Sequence, residues 1–412
     1  MRIAIVLGEF PSASEVFILQ QITGLIDLGC DIHIFAGTPG QAVPSHALYE
    51  QYALRQRTTY RPATQQEMRE RVWDSVQRRL RDLSLAPREA WRTLAVSARW
   101  LTGSARSELW TLYGVDLLRA GRFDAVHAHF GDVARLCLRA CQTPPRTPLL
   151  ATFHGYDANV VPRMHGLDIY RRLFAAGEAF TVNSEFLKQR LLGLGCPTHK
   201  IQLLPVGVDL SKFKCRVRTL GATERLRLLS VARLVPVKGL DSAIRAVAHL
   251  LDRGLNVEYR IVGDGELRAE LQALITQLGV AERVHLLGAQ SHEQVRELYH
   301  TSHVFVLPSV RAARGDEETQ GVVVQEAQAT GMPVVVSDTG GIREGIVEGV
   351  SGVSYAADDW KALAQAIGNV AEHPETWAEA ARAGRALVER KYDLAALNRR
   401  LLALYRNVCD SA

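Results

Sequence analysis

Arg227-Leu-Leu-Ser-Val-Ala232-Arg233-Leu-Val-Pro-Val-Lys238-Gly239, then a helix-length segment, then Val257-Glu-Tyr-Arg-Ile-Val262-Gly263, is the stretch that decides the fold. A brief apolar run, a cationic strand-to-helix turn, a longer helical pattern and a second apolar run are the sequence form of a parallel sheet wrapped by helices. The rhythm continues outward in both directions. Downstream, Arg283 to Leu287, His303 to Leu307 and Pro333 to Ser337 read as strands, and Leu267, Leu271, Leu274 and Leu278 form a helical stripe with Gly279 as its C-cap. Upstream, strands are expected at Ile3 to Leu7, Asp31 to Ala36, Ala125 to Ala128, Leu149 to Phe153, Ala179 to Val182 and Ile201 to Leu204. These short Val/Ile/Leu/Phe-rich runs suit strands covered on both faces. The fold class is therefore α/β, with parallel sheets.

A chain of 412 residues exceeds what one hydrophobic core organises, so two domains are expected. The boundary falls between Leu204 and Glu224, where Pro205, Gly207 and Gly221 interrupt all periodicity. Domains at 1–205 and 206–390 follow. The first is interrupted at about 55–122 by a stretch with fourteen arginines, no lysine and seven acids, although the whole chain is only +5. Helical stripes there, such as Met68, Val72, Val76, Leu80 and Leu83, read as a helical insertion; contact with a membrane surface or a lipid-linked acceptor is its second reading. No run approaches the ~20 apolar residues that span a bilayer, and Ile3 to Leu7 is too brief for a signal peptide, so a cytoplasmic protein is expected. The six cysteines show no CxxC spacing, which argues against a zinc site or a disulfide framework.

In open α/β sheets ligands bind outside the carboxyl ends of the strands, and here those ends are informative. Arg233 and Lys238 set two cations at a strand-to-helix turn, an arrangement suited to a diphosphate whose charge grows as it departs. After the strand ending at Leu307 comes Glu318-Thr-Gln-Gly321-Val322-Val323-Val-Gln-Glu326. Carboxylates accept from vicinal hydroxyls, and backbone N–H groups from Gly321 to Val323 could complete a phosphate cradle.

These motifs together resemble the retaining glycosyltransferases of family 4, which share the GT-B fold: two Rossmann-like domains facing each other across a cleft. The E-x7-E motif matches Glu318 and Glu326, the R-x4-K pair matches Arg233 and Lys238, and Gly263-Asp264-Gly265 matches the strand-end glycine loop. Val208-Asp209 with Phe213, and Gly340-Gly341-Ile-Arg-Glu344, fit as well. The resemblance implies that Glu326 grips the ribose, Glu318 the hexose, and Arg233 and Lys238 the diphosphate, with Gly8, Gly263, Gly321, Val322 and Val323 completing the donor site. It assigns His154, in Phe153-His154-Gly155-Tyr156-Asp157, to the active site beside the transferred sugar. The opening Gly8-Glu9-Phe10-Pro11 loop resembles bacterial exopolysaccharide transferases of the colanic acid type, which implies acceptor contacts at Glu9, Phe10, His129 and Asp157, with His127 as a further candidate. The last helix, within 391–412, is expected to cross back to the first domain, and cleft closure to bring His154 against the donor sugar.

The resemblance further implies a UDP-sugar donor, with a GDP-sugar as the alternative, a saccharide or lipid-linked saccharide acceptor, and no cofactor, nucleic acid or metal. The chain contains no Asp-x-Asp, so protein cations are expected to stabilise the leaving group. Peripheral attachment at the inner membrane face is compatible with this. Val206 stands where the family commonly has Asn, Ala232 where it has Gly, and Thr319-Gln320-Gly321 where it has Gly-Phe-Gly. Four other readings share the αβ rhythm or the architecture. A nicotinamide dehydrogenase needs G-x-G-x-x-G after its first strand, which is missing. A transferase acting on a soluble small molecule, a sugar-nucleotide epimerase and a silent scaffold remain alternatives.

Overall fold

The computed structural model describes residues 1–12, 15–40, 47–61, 121–143 and 146–411. The insertion read at about 55–122, with its tryptophans and leucine stripe, falls largely outside the described residues. The first sheet contains β1 (Arg2–Phe10), β2 (Asp31–Pro39), β3 (Thr58–Tyr60), β4 (Ala125–His129), β5 (Leu149–Phe153), β6 (Ala179–Val182) and β7 (Ile201–Leu203), in the order β3-β2-β1-β4-β5-β6-β7. The second contains β8 (Leu226–Val231), β9 (Val257–Val262), β10 (Val284–Gly288), β11 (Val304–Leu307), β12 (Val334–Asp338) and β13 (Gly352–Ala356), in the order β10-β9-β8-β11-β12-β13. Every strand pairing within both sheets is parallel. Two Rossmann-like sheets of this kind make a GT-B fold.

The physical reason lies in the burial pattern. β4, β5 and β6 are buried at every position, as are all four residues of β11. Each Leu, Val, Ile or Phe enclosed in this way contributes about 1.5–3 kcal/mol, and a strand covered on both faces collects that contribution on both. Helix Leu240–Asp252 turns Ala243, Ile244, Val247 and Leu250 into the second core. Helix Leu394–Asp410 places Leu397, Leu401, Leu402, Tyr405 and Val408 in the core of the first sheet, together with Ile3, Ile5 and Ile22. The chain thus crosses between the sheets twice. The crossings pair: Val208 N–H donates to Tyr392 O at 2.8 Å, and Leu394 N–H to Val208 O at 3.1 Å.

Two strands escaped the sequence reading. β3 and β13 are edge strands of mixed composition, Thr-Thr-Tyr and Gly-Val-Ser-Tyr-Ala, and the three residues of β3 are all only half-buried. The opening Gly8-Glu9-Phe10 is also not a loop, because β1 continues through Phe10 and pairs with β2 as far as Pro39.

Candidate active site

In each sheet the strand order reverses beside the first strand: β1 lies between β2 and β4, and β8 between β9 and β11. Crevices open at the carboxyl ends of such strands. The cationic turn after β8 is held against the loop after β11. Gly239 has φ +55°, and a Cβ there would collide with Pro308 O. Val310 N–H donates to Val237 O at 2.9 Å. This packing brings Lys238 onto Glu318, and Lys238 Nζ donates to Glu318 Oε2. The side chains of that pair are 14% and 18% exposed. Arg233 is exposed at the same strand end and draws the Asp316 carboxyl down, against burial and Glu318, which together hold it above its usual range.

Gly321, at φ +73°, caps helix Val322–Ala329, whose N-terminus follows directly on the Glu318 loop and whose dipole favours an anion there. Glu326 sits one turn further in. Tyr299 O–H donates to its Oε2 at 2.9 Å, and burial pushes its carboxyl up to about 7 despite that bond. Gly263, at φ +130°, lies so close to Ala232 O that no Cβ fits between them. Gly8 is exposed, and a side chain there would meet nothing within 4 Å, so β1 leaves open space at its end.

The first domain reaches this donor-side crevice directly. Thr319 Oγ1 donates to His154 O at 2.9 Å and accepts from Asn183 Nδ2 at 2.9 Å. Gln320 pairs with the linker in both directions: Val206 N–H donates to its Oε1 at 2.8 Å, and its Nε2 donates to Val206 O at 2.9 Å. Glu344 accepts from the N–H groups of Glu185 and Phe186 at the start of helix Glu185–Gly193. Glu317, only 8% exposed, bridges Arg190 and Arg311 at 3.1 and 3.2 Å. The closure expected to bring His154 to the donor side is thus already bridged by hydrogen bonds in this structure.

Several acceptor expectations change in this light. Asp157 is fully buried, and its carboxylate accepts from the N–H groups of Gly131, His154 and Gly155 at 2.8, 3.0 and 2.9 Å. It shapes the His154 loop instead of facing an acceptor. His127 and His129, which share one face of β4, are buried as well, because that strand is covered on both faces. His127 bonds Tyr405 O–H and Thr152 Oγ1 at 2.6 and 2.7 Å, and His129 Nδ1 lies 3.0 Å from His154 Nε2. Phe10 is buried with its ring 6.0 Å from Tyr49. It lines a cavity of about 430 Å³ with Glu15, Tyr49, Arg55 and Tyr60. Glu9 is exposed, and burial together with Glu9 lifts the Glu15 carboxyl to about 7. Glu15, Asn183, Tyr299, Thr319 and Gln320 are the site residues that sequence spacing missed. A polar pair between two motif glutamates was the available signal for the last two.

Residues 14–212 match the family described as Glycosyltransferase Family 4, and residues 213–387 the family described as Glycosyl transferases group 1. The amylovoran biosynthesis glycosyltransferase AmsK of Erwinia amylovora is 30% identical over 403 residues, 95% of this chain and 96% of that protein. The chain belongs to glycosyltransferase family 4. The putative colanic acid biosynthesis glycosyltransferase WcaL of Escherichia coli K12 is 31% identical over 408 residues, 98% of this family 4 chain and 99% of that protein. The GT-B architecture is shared with Anabaena Alr3699/HepE in complex with UDP, at TM-score 0.73 and 18% identity, covering 99% of this chain and 100% of that one. Sucrose-phosphate synthase from Thermosynechococcus elongatus matches with TM-score 0.73 and 19% identity over all of both chains. This family 4 chain is accordingly a glycosyltransferase. Among the described residues no helix is long and apolar enough to cross a membrane.

Proposed function

We propose that the chain moves a hexose from a UDP-sugar to a saccharide acceptor of exopolysaccharide synthesis, with retention at the anomeric carbon and without a metal ion. The observation that carries the donor reading is the convergence of Arg233, Lys238, Glu318, the Val322 helix start and Glu326 at one switch point, with His154 fastened to it through Thr319. UDP is favoured over GDP because structural neighbours with this fold were solved with UDP and UDP-glucose. Exopolysaccharide is favoured because the whole-length relatives are described as amylovoran and colanic acid transferases.

In the resting site Lys238 and Glu318 neutralise each other. A donor would replace that pair with two better-matched ones, Lys238 on the diphosphate and Glu318 on hexose hydroxyls. Arg233 and the N–H groups of Val322 and Val323 would share the charge that develops as the bond from the anomeric carbon to the phosphate oxygen breaks. The acceptor oxygen then bonds that carbon on the same face, and its proton passes to the departing diphosphate oxygen. Gly263 and Gly8 provide close approach. On the acceptor side, exposed Glu9 and the cavity edged by Phe10 and Glu15 are the surfaces that support saccharide binding.

Contact with an anionic membrane surface is the finer reading, and it rests on the described rim of the first domain. In the segment following His154, Tyr156, Met164 and Leu167 are 52%, 64% and 68% exposed, and Arg163, Arg171 and Arg172 of the same stretch are exposed as well. Apolar tips among cations suit a headgroup layer and an acceptor carried on a lipid.

Calorimetric titration of UDP, GDP and ADP, with and without EDTA, into wild type and Glu326→Ala tests the donor reading. EDTA-insensitive binding of UDP that disappears in the variant is expected. Binding of no nucleotide at all would sink the donor site.

A further inference from the structure

Three imidazoles form a column at the ends of β4 and β5. The rings of His127 and His129 stack at 4.5 Å and 29°, and those of His129 and His154 lie edge to edge and nearly coplanar, with centroids 5.3 Å and planes 14° apart. Phe17 and Phe130 flank the outer ring at 5.1 and 4.7 Å. Burial keeps all three neutral: His127 and His154 are pushed down to about 3 and His129 well below its usual range. A neutral imidazole carries one N–H, so the proton positions on His129 and His154 can be worked out from the bonds.

His129 decides the outer ring. Its Nδ1 lies 3.0 Å from His154 Nε2, so one of those nitrogens donates. Its Nε2 is buried without a partner. If His154 donated, the His129 proton would have to sit on that Nε2 as a buried N–H with no acceptor. Orphaned buried N–H groups are the rarest kind, and such a group costs about 1–3 kcal/mol. If His129 donates from Nδ1, only a bare lone pair is enclosed, which is less costly than an orphaned buried N–H. His154 then accepts on Nε2 and carries its own proton on Nδ1. Among the described residues His154 Nδ1 has no protein partner, so this N–H is left for a ligand.

We infer that His129 is a positioning residue that fixes His154 in its Nδ1–H tautomer, making His154 a hydrogen-bond donor to an oxygen of the bound sugar. The functional half of this inference rests on the reading of His154 as a sugar contact; the tautomer half does not. His127 supports the column from behind. Both its nitrogens are engaged, by Tyr405 of the crossing helix and by Thr152, whose hydroxyl lies 2.5 Å from that of Thr181.

The test uses the full chain with 15N-labelled histidine. Long-range 1H–15N correlation spectra, with His154 assigned by comparison with His154→Gln, should show Nδ1 protonated and Nε2 bare at neutral pH. His129→Phe keeps a flat ring against His127 but cannot donate; His129→Asn places an amide N–H near the old Nδ1. The Phe variant should lose the single tautomer and drop kcat by roughly 10-fold with little change in donor KM, and the Asn variant should recover most of that loss. A His154 Nε2–H tautomer in wild type, or wild-type kcat in His129→Phe, would overturn the inference. Equal losses in the Phe and Asn variants would reduce His129 to a packing role and also overturn it. The expected tautomer together with a fully active His154→Gln would overturn the site reading, and the functional half with it.

Discussion

Glu326→Gln should make the protein more stable at pH 8 and a poorer nucleotide binder at the same time. Burial lifts the Glu326 carboxyl from 4.5 to about 7. A folded-state value raised in this way means that the charged form opposes folding. The opposition is absent below pH 4.5, grows as pH rises through the window to 7, and is constant above it, where it amounts to about 3 kcal/mol. Glutamine removes it but weakens the bond from Tyr299 O–H by about 1 kcal/mol, leaving a gain of about 2 kcal/mol at pH 8. At pH 5 the remaining opposition is under ~1 kcal/mol and the two effects cancel. For a domain of this size the pH 8 gain corresponds to a rise of roughly 4–8 °C in melting temperature. Binding should move the other way. If the ribose takes the carboxylate, wild-type UDP affinity falls about 10-fold between pH 8 and pH 6 as Glu326 takes up a proton, and the variant shows a weak, flat profile. Thermal melts at pH 5 and pH 8 with parallel titrations decide it. A variant no more stable than wild type at pH 8, or one equally stabilised at both pH values, would refute the argument that buried charge is held there for binding.

Other outcomes follow from the same geometry. Lys238→Ala should cut kcat by roughly 10²-fold or more, because the cation facing the leaving diphosphate is gone; steady-state kinetics with saturating donor would show it, and an unchanged kcat would remove Lys238 from the mechanism. Thr319→Val takes away a hydroxyl that donates to His154 O and accepts from Asn183, leaving both without that partner at a cost of about 2 kcal/mol. The expected result is a kcat lowered about 10-fold or more with nucleotide affinity retained, and wild-type turnover would count against the bridge. Replacing Met164 and Leu167 with Glu should abolish co-sedimentation with vesicles containing phosphatidylglycerol while leaving binding of free UDP intact. Equal sedimentation of wild type and variant would dismiss the membrane reading.

The parts of this protein legible in the sequence are those whose physics is local. A strand covered on both faces is largely apolar, so β5 and β6 were readable to the residue, and β9 was readable from Val257, Tyr259, Ile261 and Val262 despite Glu258 and Arg260, whereas edge strands β3 and β13 carry Thr, Ser and Gly and gave no such run. The charged residues proposed for the donor were singled out by their resemblance to family motifs, and the structure places two of them, Lys238 and Glu318, side by side. The histidines of β4 were misassigned for a related reason: in a strand enclosed on both sides, His-Ala-His does not reveal which face is solvent. Asp157 was decidable nearby, since a carboxylate two and three residues beyond Gly155 and His154 suits a turn that binds its own amides. The bridge from Thr319 to Asn183 and His154 joins residues 136 and 165 positions apart, and no local rule reaches that far.

The residues between the two motif glutamates bear on how donor and acceptor domains communicate. Glu318 is tied to Lys238, Thr319 to the His154 loop, and Gln320 to both backbone groups of Val206 in the linker. Gly340 and Gly341 clamp the same segment from behind, for Gly341 N–H donates to Glu318 O at 3.0 Å and a Cβ at Gly340 would collide with that oxygen. A donor that draws Lys238 from Glu318 therefore moves a carboxylate whose two following residues are fastened to the other domain and to the hinge. Val206 and Gln320 meet in one reciprocal pair, so the amide that bonds the linker backbone is supplied by the loop between the two motif glutamates. Coupling between donor occupancy and domain position thus needs no long pathway, because the loop that would hold the sugar is itself the contact between domains.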